Sequence, residues 1–292
     1  MKKKLIIIII SVLILIGAAC LSFPAISNLI NDCFNKSKID SYNNNVNSSS
    51  QEEIDKLYES AKKYNEAVAS KYFSSDYSSK YNEILSKYNN IMNFCDGLIC
   101  YIEIPKINIK LPVYHGSEEV LKKGAAHLEQ TSFPIGGNNT HACISAHSGY
   151  PTQKFFDDIN ELQSGDMIYI HILNQTLSYK VYKTDIVLPD DTEQLNIVSN
   201  EDLITLVTCY PYGINSHRLL VHAERTYDIQ SDEKDNNNDS VPAKTLEMLL
   251  FCLIFLPVGT LSVFYIIKRK NKKLNAGELW KSRRIKQLKK SG

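Results

Sequence analysis

Residues 204–221 read ITLVTCYPYGINSHRLLV and consist of two apolar runs on either side of a turn. The first run ends on Thr208-Cys209, and the second opens with Arg218. The segment between them contains Pro, Gly and Asn, which are typical of turns. Short apolar runs that flank such a segment predict two adjacent strands. We therefore expect Cys209 and Arg218 to lie at one rim of a β-sheet.

Similar short runs occur throughout the chain from Gly97 onward, separated by clusters of Pro, Gly and Asn. Such spacing predicts an all-β sandwich or barrel. A domain of roughly 130 residues is large enough to bury a core. The predicted strands are Leu98–Ile104, His141–His147, Met167–Leu173, Thr176–Leu188, Leu203–Cys209 and Arg218–Glu224.

The segment before this domain, residues 31–96, is polar and rich in Asn, Ser, Lys and Tyr. One stripe within it has helical spacing, which predicts an amphipathic helix from 51 to 72 that packs on a core. The stripe consists of Ile54, Leu57, Tyr58, Ala61, Tyr64 and Val68.

Two apolar runs are long enough to cross a membrane, Leu5–Ser22 after three lysines and Leu246–Ile267 before Lys268-Arg269-Lys270. A cleaved signal peptide is the alternative for the first run. We favour an uncleaved anchor, because Cys20-Leu21-Ser22 is a poor cleavage site.

The charges predict the topology of the chain. Residues 2–4 and 268–292 carry 14 of the 33 Lys and Arg but only one acidic residue. Residues 5–267 carry 19 basic and 31 acidic residues, a net charge of −12. Basic segments stay on the cytoplasmic side, so both termini are expected in the cytoplasm and residues 24–245 outside. A nucleic-acid partner is not expected, because the basic residues are those of a membrane face.

The seven cysteines do not form the dense, even framework of a disulfide scaffold. Cys95 and Cys100 either pair or remain core thiols, and no matching His or Cys pair accompanies them for zinc. Neither a metal nor a cofactor is expected.

Cys209 raises a question of chemistry, because a thiol needs a nearby cation or base to become a nucleophile. His147 follows the strand-like HACISA, and Arg218 opens the strand after Cys209. Each residue alone has a simpler interpretation: a buried structural thiol, a loop histidine and a salt-bridged strand arginine.

Several motifs together resemble the sortase family. TLVTC (205–209) resembles the sortase TLxTC signature. YG (212–213) with NSHR (215–218) is similar to the YG-x-NTHR segment of the class C, pilin-assembling branch. Further resemblance lies in GLICYIEIPKINIKLPVYHG (97–116), HLEQTSFPIGG (127–137) and ISAHSG (144–149).

The resemblance implies an eight-stranded sortase-type β-barrel with an N-terminal helical and lid segment, flanked by two transmembrane helices. It implies that Cys209 attacks the Thr–Gly bond of an LPxTG-like sorting signal. His147 would act as acid and base, and Arg218 would hold the substrate or the oxyanion. The backbone around Thr208 and Tyr210 would support the oxyanion.

Three departures from the family pattern are visible. The usual Gly-His-Arg-Gly is replaced by residues 146–149, AHSG, and NTHR is replaced by NSHR. A class C lid carries Asp-Pro-aromatic, whereas Asp76-Tyr77 lacks the Pro. Asp76 and Tyr77 are therefore candidate lid residues, with an exposed Asp and a helix-packing Tyr as the alternative.

These expectations define the domain organisation and leave three alternative functions. The predicted function is pilin polymerisation on a Gram-positive membrane, with a pilin lysine as nucleophile. One alternative is anchoring of surface proteins to a peptidoglycan amine, and another is a catalytically silent binding domain. The predicted segments are 1–4 (cytoplasmic), 5–23 (transmembrane), 24–96 (extracellular helical segment with the candidate lid), 97–227 (catalytic barrel), 228–245 (linker), 246–267 (transmembrane) and 268–292 (cytoplasmic tail).

Overall fold

The computed structural model describes residues 2–74, 78–95 and 97–227, together with Lys268. The chain divides into two compact units. The described part of the first is residues 2–29 and Lys268, and that of the second is residues 30–227. The second predicted membrane span, the linker and nearly all of the basic tail lie outside the described residues.

Three helices precede the barrel. They are α1 (Lys2–Ser48), α2 (Gln51–Phe73) and α3 (Ser78–Leu85). In the first unit, α1 carries the apolar run that was expected to cross the membrane. Among the described residues, α1 is the one helix long and apolar enough to do so, with a mean hydropathy of 2.5 in its most apolar window. The helix continues beyond the predicted span of residues 5–23, through Pro24, to Ser48.

In the second unit, α2 confirms the helix predicted from the apolar stripe. It begins at a capping box in which Ser50 and Glu53 exchange hydrogen bonds between side chain and backbone. Ile54 and Tyr64 of the stripe are buried in the core. Asn65 is buried beside them and pairs with the backbone of Phe133, donating from Nδ2 to the carbonyl (3.0 Å) and accepting from the amide (2.7 Å).

Eight strands close into a barrel in the order β1-β2-β3-β4-β7-β8-β6-β5, which confirms the predicted barrel. The pairs β2–β3 and β4–β7 are parallel, and the others are antiparallel. The strands are β1 (Leu98–Ile104), β2 (Ile109–His115), β3 (Ala125–His127), β4 (Thr140–Ser145), β5 (Met167–Ile172), β6 (Gln175–Val187), β7 (Asp202–Tyr210) and β8 (His217–Thr226).

The strand runs predicted from sequence account for six of these eight, with ends shifted by up to two residues. The runs missed β2 and β3, although the resemblance implied eight strands. Pro112 lies inside β2, and proline is unfavourable within a sheet because it cannot donate to the ladder. The structure accommodates Pro112 by pairing it with Tyr101 of β1, while pairing to β3 begins only at Val113.

Candidate active site

Three adjacent strands bring the candidate catalytic residues to one rim of the barrel. β7 lies between β4, which is parallel to it, and β8, which is antiparallel. In the β7–β8 ladder Cys209 is paired directly with Arg218. In the β4–β7 ladder Ser145 is paired with Val207. Two more residues in the same register bring His147 next to Cys209.

Two hydrogen bonds show that this register continues beyond the end of β4. The Ala146 amide donates to the Val207 carbonyl (3.1 Å), and the Thr208 hydroxyl donates to the Ala146 carbonyl (2.8 Å). Strands in one sheet lie about 4.8 Å apart, so the backbones of His147 and Cys209 are neighbours. The order across the rim is therefore His147, Cys209, Arg218.

Thr208 and Tyr210 flank Cys209 and were expected to support the oxyanion. The Thr208 side chain is buried, and its hydroxyl donates a hydrogen bond to the Ala146 carbonyl. That side chain therefore connects β7 to the segment that carries His147. Tyr210 is partly buried and packs against the main core. The role of the backbone at these two positions remains a prediction.

Cys209 differs from the two buried cysteines of the barrel. Cys100 and Cys143 are fully buried, and burial raises the pKa of both thiols well above the ordinary range. Such thiols stay protonated and are poor nucleophiles. Cys209 is partly exposed at the rim. All six described cysteines are free, so Cys95 and Cys100 remain unpaired thiols.

The imidazole of His147 packs against two aromatic side chains, Tyr150 and Phe155, which also contact each other with 5.6 Å between ring centroids. The Tyr150 ring stacks on it with 5.3 Å between centroids and 10° between planes. The buried Phe155 ring approaches at 6.3 Å and 58°. The Phe156 amide also donates to the His147 carbonyl (2.9 Å). Both the ring and the backbone of His147 are thus held by the segment that follows it.

Asp157 folds that segment back toward His147. Its Oδ1 accepts from the Gly149 amide (2.8 Å) and its Oδ2 from the Phe155 amide (2.9 Å). Gly149 has φ +77°, and a Cβ at this position would lie 3.2 Å from Cζ of Tyr212. A glycine is therefore needed for the backbone conformation and for the close approach of the Tyr212 ring.

Arg218 is partly exposed, and its guanidinium is held over its own turn. Nη1 donates to the His217 carbonyl (3.0 Å) and to the Asn215 carbonyl (3.3 Å). A guanidinium has five N–H donors, so the remaining donors can bind an oxygen of a substrate. Within the described ranges, no carboxylate forms an ion pair with Arg218.

The candidate lid residues Asp76 and Tyr77 lie outside the described residues. On either side of them, α2 ends at Phe73 and α3 begins at Ser78. The lid therefore stays a prediction. Among the described residues, no group of three or more His, Cys, Asp or Glu side chains is arranged to hold a metal ion.

Comparisons with known proteins identify similar sequences and structures. A family model described as the sortase domain matches residues 102–226. Sortase D of Bacillus subtilis (strain 168) is 30% identical over 128 residues, which cover 42% of this chain and 62% of that protein. The match thus spans less than two thirds of that curated relative.

Solved structures of class C enzymes are similar over nearly their whole length. Clostridium perfringens sortase C with the C-terminal cell wall sorting motif is 43% identical, with a TM-score of 0.56. That match covers 65% of this chain and 98% of the other. Sortase C1 from Streptococcus agalactiae is 41% identical, with a TM-score of 0.58 and coverage of 64% and 97%.

Proposed function

Because the chain belongs to the sortase family, we propose that it is a membrane-anchored cysteine transpeptidase that joins surface proteins through a thioacyl intermediate on Cys209. The observation that carries this proposal is the order His147, Cys209, Arg218 across three hydrogen-bonded strands. A nucleophile with an acid–base group on one side and a guanidinium on the other suits acyl transfer.

The first step is the cleavage of an LPxTG-like sorting signal between Thr and Gly. The Cys209 sulfur, as thiolate, attacks the threonine carbonyl carbon and forms a tetrahedral oxyanion. Arg218 stabilises the oxyanion or orients the peptide through charge-assisted hydrogen bonds. The C–N bond then breaks, and His147 gives its proton to the departing glycine nitrogen. The product is a thioester between the threonine carbonyl and Cys209.

The second step transfers the acyl group to an amine. The amine nitrogen attacks the thioester carbon, His147 accepts its proton, and the C–S bond breaks to restore the thiolate. We assign the amine to the side chain of a pilin lysine, because the solved relatives at 41–43% identity are class C enzymes. The sorting-signal motif present with the C. perfringens enzyme supports the same class of acyl donor here.

Two other functions compete with this assignment. A housekeeping sortase would transfer the acyl group to a peptidoglycan amine with the same Cys209 chemistry. A silent binding domain would need no reactive thiol, which disagrees with a partly exposed Cys209 beside His147 and Arg218. Comparing a pilin-type lysine peptide with an oligoglycine amine as acceptor separates the first two functions.

The thioacyl intermediate is the direct test. An LPxTG-type peptide incubated with the full-length chain should leave a mass adduct on Cys209 and none in Cys209→Ala. His147→Ala and Arg218→Ala should each lower turnover by ~10²-fold or more, because they remove acid–base or electrostatic assistance. Thermal unfolding of these variants serves as the folding control. An adduct on Cys95, Cys100 or Cys143 instead would refute the assignment.

A further inference from the structure

The acceptor amine must reach Cys209 from one particular side, and the rim has two different sides. In the proposed reaction, His147 protonates the leaving amine and deprotonates the incoming one. The two amines therefore occupy the same place, next to the imidazole. That place lies on the β4 side of Cys209.

The charges on the rim also favour an approach of the amine from the β4 side of Cys209. Arg218 is the direct ladder partner of Cys209 on the β8 side. An amine in water is mostly a cationic ammonium, and the guanidinium repels it. On the β4 side, the Asp157 carboxylate accepts from the Gly149 amide at 2.8 Å and from the Phe155 amide at 2.9 Å. An ammonium group is thus repelled on the β8 side of Cys209.

Two tyrosines line the favoured side. Tyr150 covers the imidazole of His147 with a parallel ring. Tyr212 comes from the β7–β8 loop, is 66% exposed, and rests on Gly149. The ring of Tyr212 thus bridges the two loops that flank the gap between His147 and Cys209.

We infer that Tyr212, with Tyr150 beside it, forms a subsite for a cationic primary amine on a long aliphatic stem, the chemistry of a lysine side chain. The face of a tyrosine ring attracts an ammonium group, and its apolar surface packs against the methylene stem. The ammonium is held there until it loses one proton to water. The neutral amine then attacks the thioester, and His147 accepts the second proton. This inference rests on the proposed transpeptidation and adds the place where its second substrate binds.

The test separates the two half-reactions in the full-length chain in detergent. An LPxTG-type peptide is the acyl donor, and Nα-acetyl-lysine amide is the acceptor. Tyr212→Ala should raise the KM for the lysine acceptor about threefold, as expected for loss of one exposed cation–π contact. The burst of leaving peptide, which reports acylation, should stay within about twofold of wild type, because the peptide nitrogen of the donor carries no charge for the ring to attract. Tyr212→Phe should retain the wild-type KM, because the ring remains.

Two controls make the result specific. Hydroxylamine is uncharged at neutral pH and also resolves a thioester, so its rate should be the same in Tyr212→Ala and wild type. Tyr227 is 81% exposed and follows the opposite end of β8, so Tyr227→Ala should change neither acceptor. An unchanged lysine KM in Tyr212→Ala, or equal losses with lysine and hydroxylamine, overturns the subsite while the transpeptidase assignment stands.

Failure of the proposed function would look different. A wild-type chain that forms no thioacyl adduct on Cys209 overturns the transpeptidase assignment and the subsite with it. A wild-type chain that acylates and then transfers only to an oligoglycine amine overturns the lysine subsite and supports the housekeeping alternative.

Discussion

Single side chains hold the rim in shape by bonding to backbone atoms. Thr208 donates to the Ala146 carbonyl, and Asp157 accepts from the Gly149 amide, so both flanks of His147 are anchored. A buried hydrogen bond contributes about 1 kcal/mol net, and its loss leaves a buried carbonyl unsatisfied. The geometry of the rim therefore depends on these two hydrogen bonds, and we predict that the Thr208 side chain is a positioning group for His147.

Replacing the Thr208 hydroxyl tests this dependence. Thr208→Val keeps the shape but removes the donor, so the free energy of unfolding should fall by about 1–2 kcal/mol. The rate of acylation of Cys209 should fall by ~10-fold, because the Ala146–His147 segment moves relative to the thiol. Thr208→Ser, which keeps the donor, should recover most of the rate. Denaturant unfolding and single-turnover kinetics measure both effects, and a Thr208→Val variant with the wild-type acylation rate would contradict the positioning role.

At the scale of secondary-structure elements, buried side chains connect β4, β7 and β8 below the rim. Thr205 of β7 bonds to His141 Nε2 (2.6 Å) and to His222 Nδ1 (2.8 Å). The outer nitrogens face the Asn196 carbonyl (2.8 Å) and the Asp185 carboxylate (3.4 Å). The Asn196 carbonyl and the Asp185 carboxylate at the two ends of this series of contacts can only accept hydrogen bonds. The four contacts therefore need four protons, whereas each neutral imidazole supplies one N–H and Thr205 supplies one O–H, three in all. The longest contact, to Asp185, is the one left without a proton.

This chain of contacts predicts how stability depends on pH. Burial lowers the pKa of His222 to about 4, with the nearby His141 adding to the effect, although Asp185 opposes it. Burial also lowers the pKa of His141. In the unfolded chain His222 titrates near 6.5, so the unfolded state binds the proton first. The stability that His222 contributes is complete above pH ~6.5 and is lost as the pH falls toward 4.

As the pH falls from 6.5 to 4, the contribution of His222 to the free energy of unfolding should decrease by up to about 3 kcal/mol. Urea unfolding of wild type and His222→Gln between pH 7.5 and 4 measures it, with the variant showing the shallower pH dependence. Some dependence should remain in the variant, because burial also lowers the pKa of His127 to about 4. Equal pH dependence in the two proteins would show that His222 is not held neutral.

At the scale of the whole molecule, the net charge of +1 is a balance between basic ends and an acidic middle. An N-terminal helix apolar enough to cross a membrane leads into the polypeptide that carries the barrel. The positive-inside rule then predicts that residues 24–245, which include Cys209, lie outside the cell. The two-pass topology itself stays a prediction, since its second span lies outside the described residues.

Labelling on intact cells tests that topology. In a background whose accessible native thiols are replaced by serine, Asn236→Cys should react with a membrane-impermeant thiol reagent and Leu288→Cys should not. Both should react after the cells are permeabilised, which controls for expression. Surface labelling at position 288 would rule out a cytoplasmic C-terminus.

The sequence by itself determined most of the local elements and supplied the candidate reactive residues. The 3.6-residue period of Ile54 and Tyr64 predicts α2, and uninterrupted apolar runs predict strands such as β7, because these signals depend on neighbours along the chain. Cys209, His147 and Arg218 were identified from motifs. The sequence did not predict β2, because Pro112 argues against a strand. A proline is tolerated within a strand only where the edge that lacks its N–H is unpaired, and the sequence does not show which edge that is.

Only the tertiary structure decided which distant residues meet. The parallel pairing of β4 with β7 brings His147 to Cys209, and no local pattern specifies that partner, because strand pairing depends on non-local contacts. The stacking of Tyr150 on His147 and the approach of Tyr212 to Gly149 likewise arise only when two loops share one rim. The candidate reactive residues were therefore recognisable individually in the sequence, whereas their arrangement in space depends on the closure of the barrel.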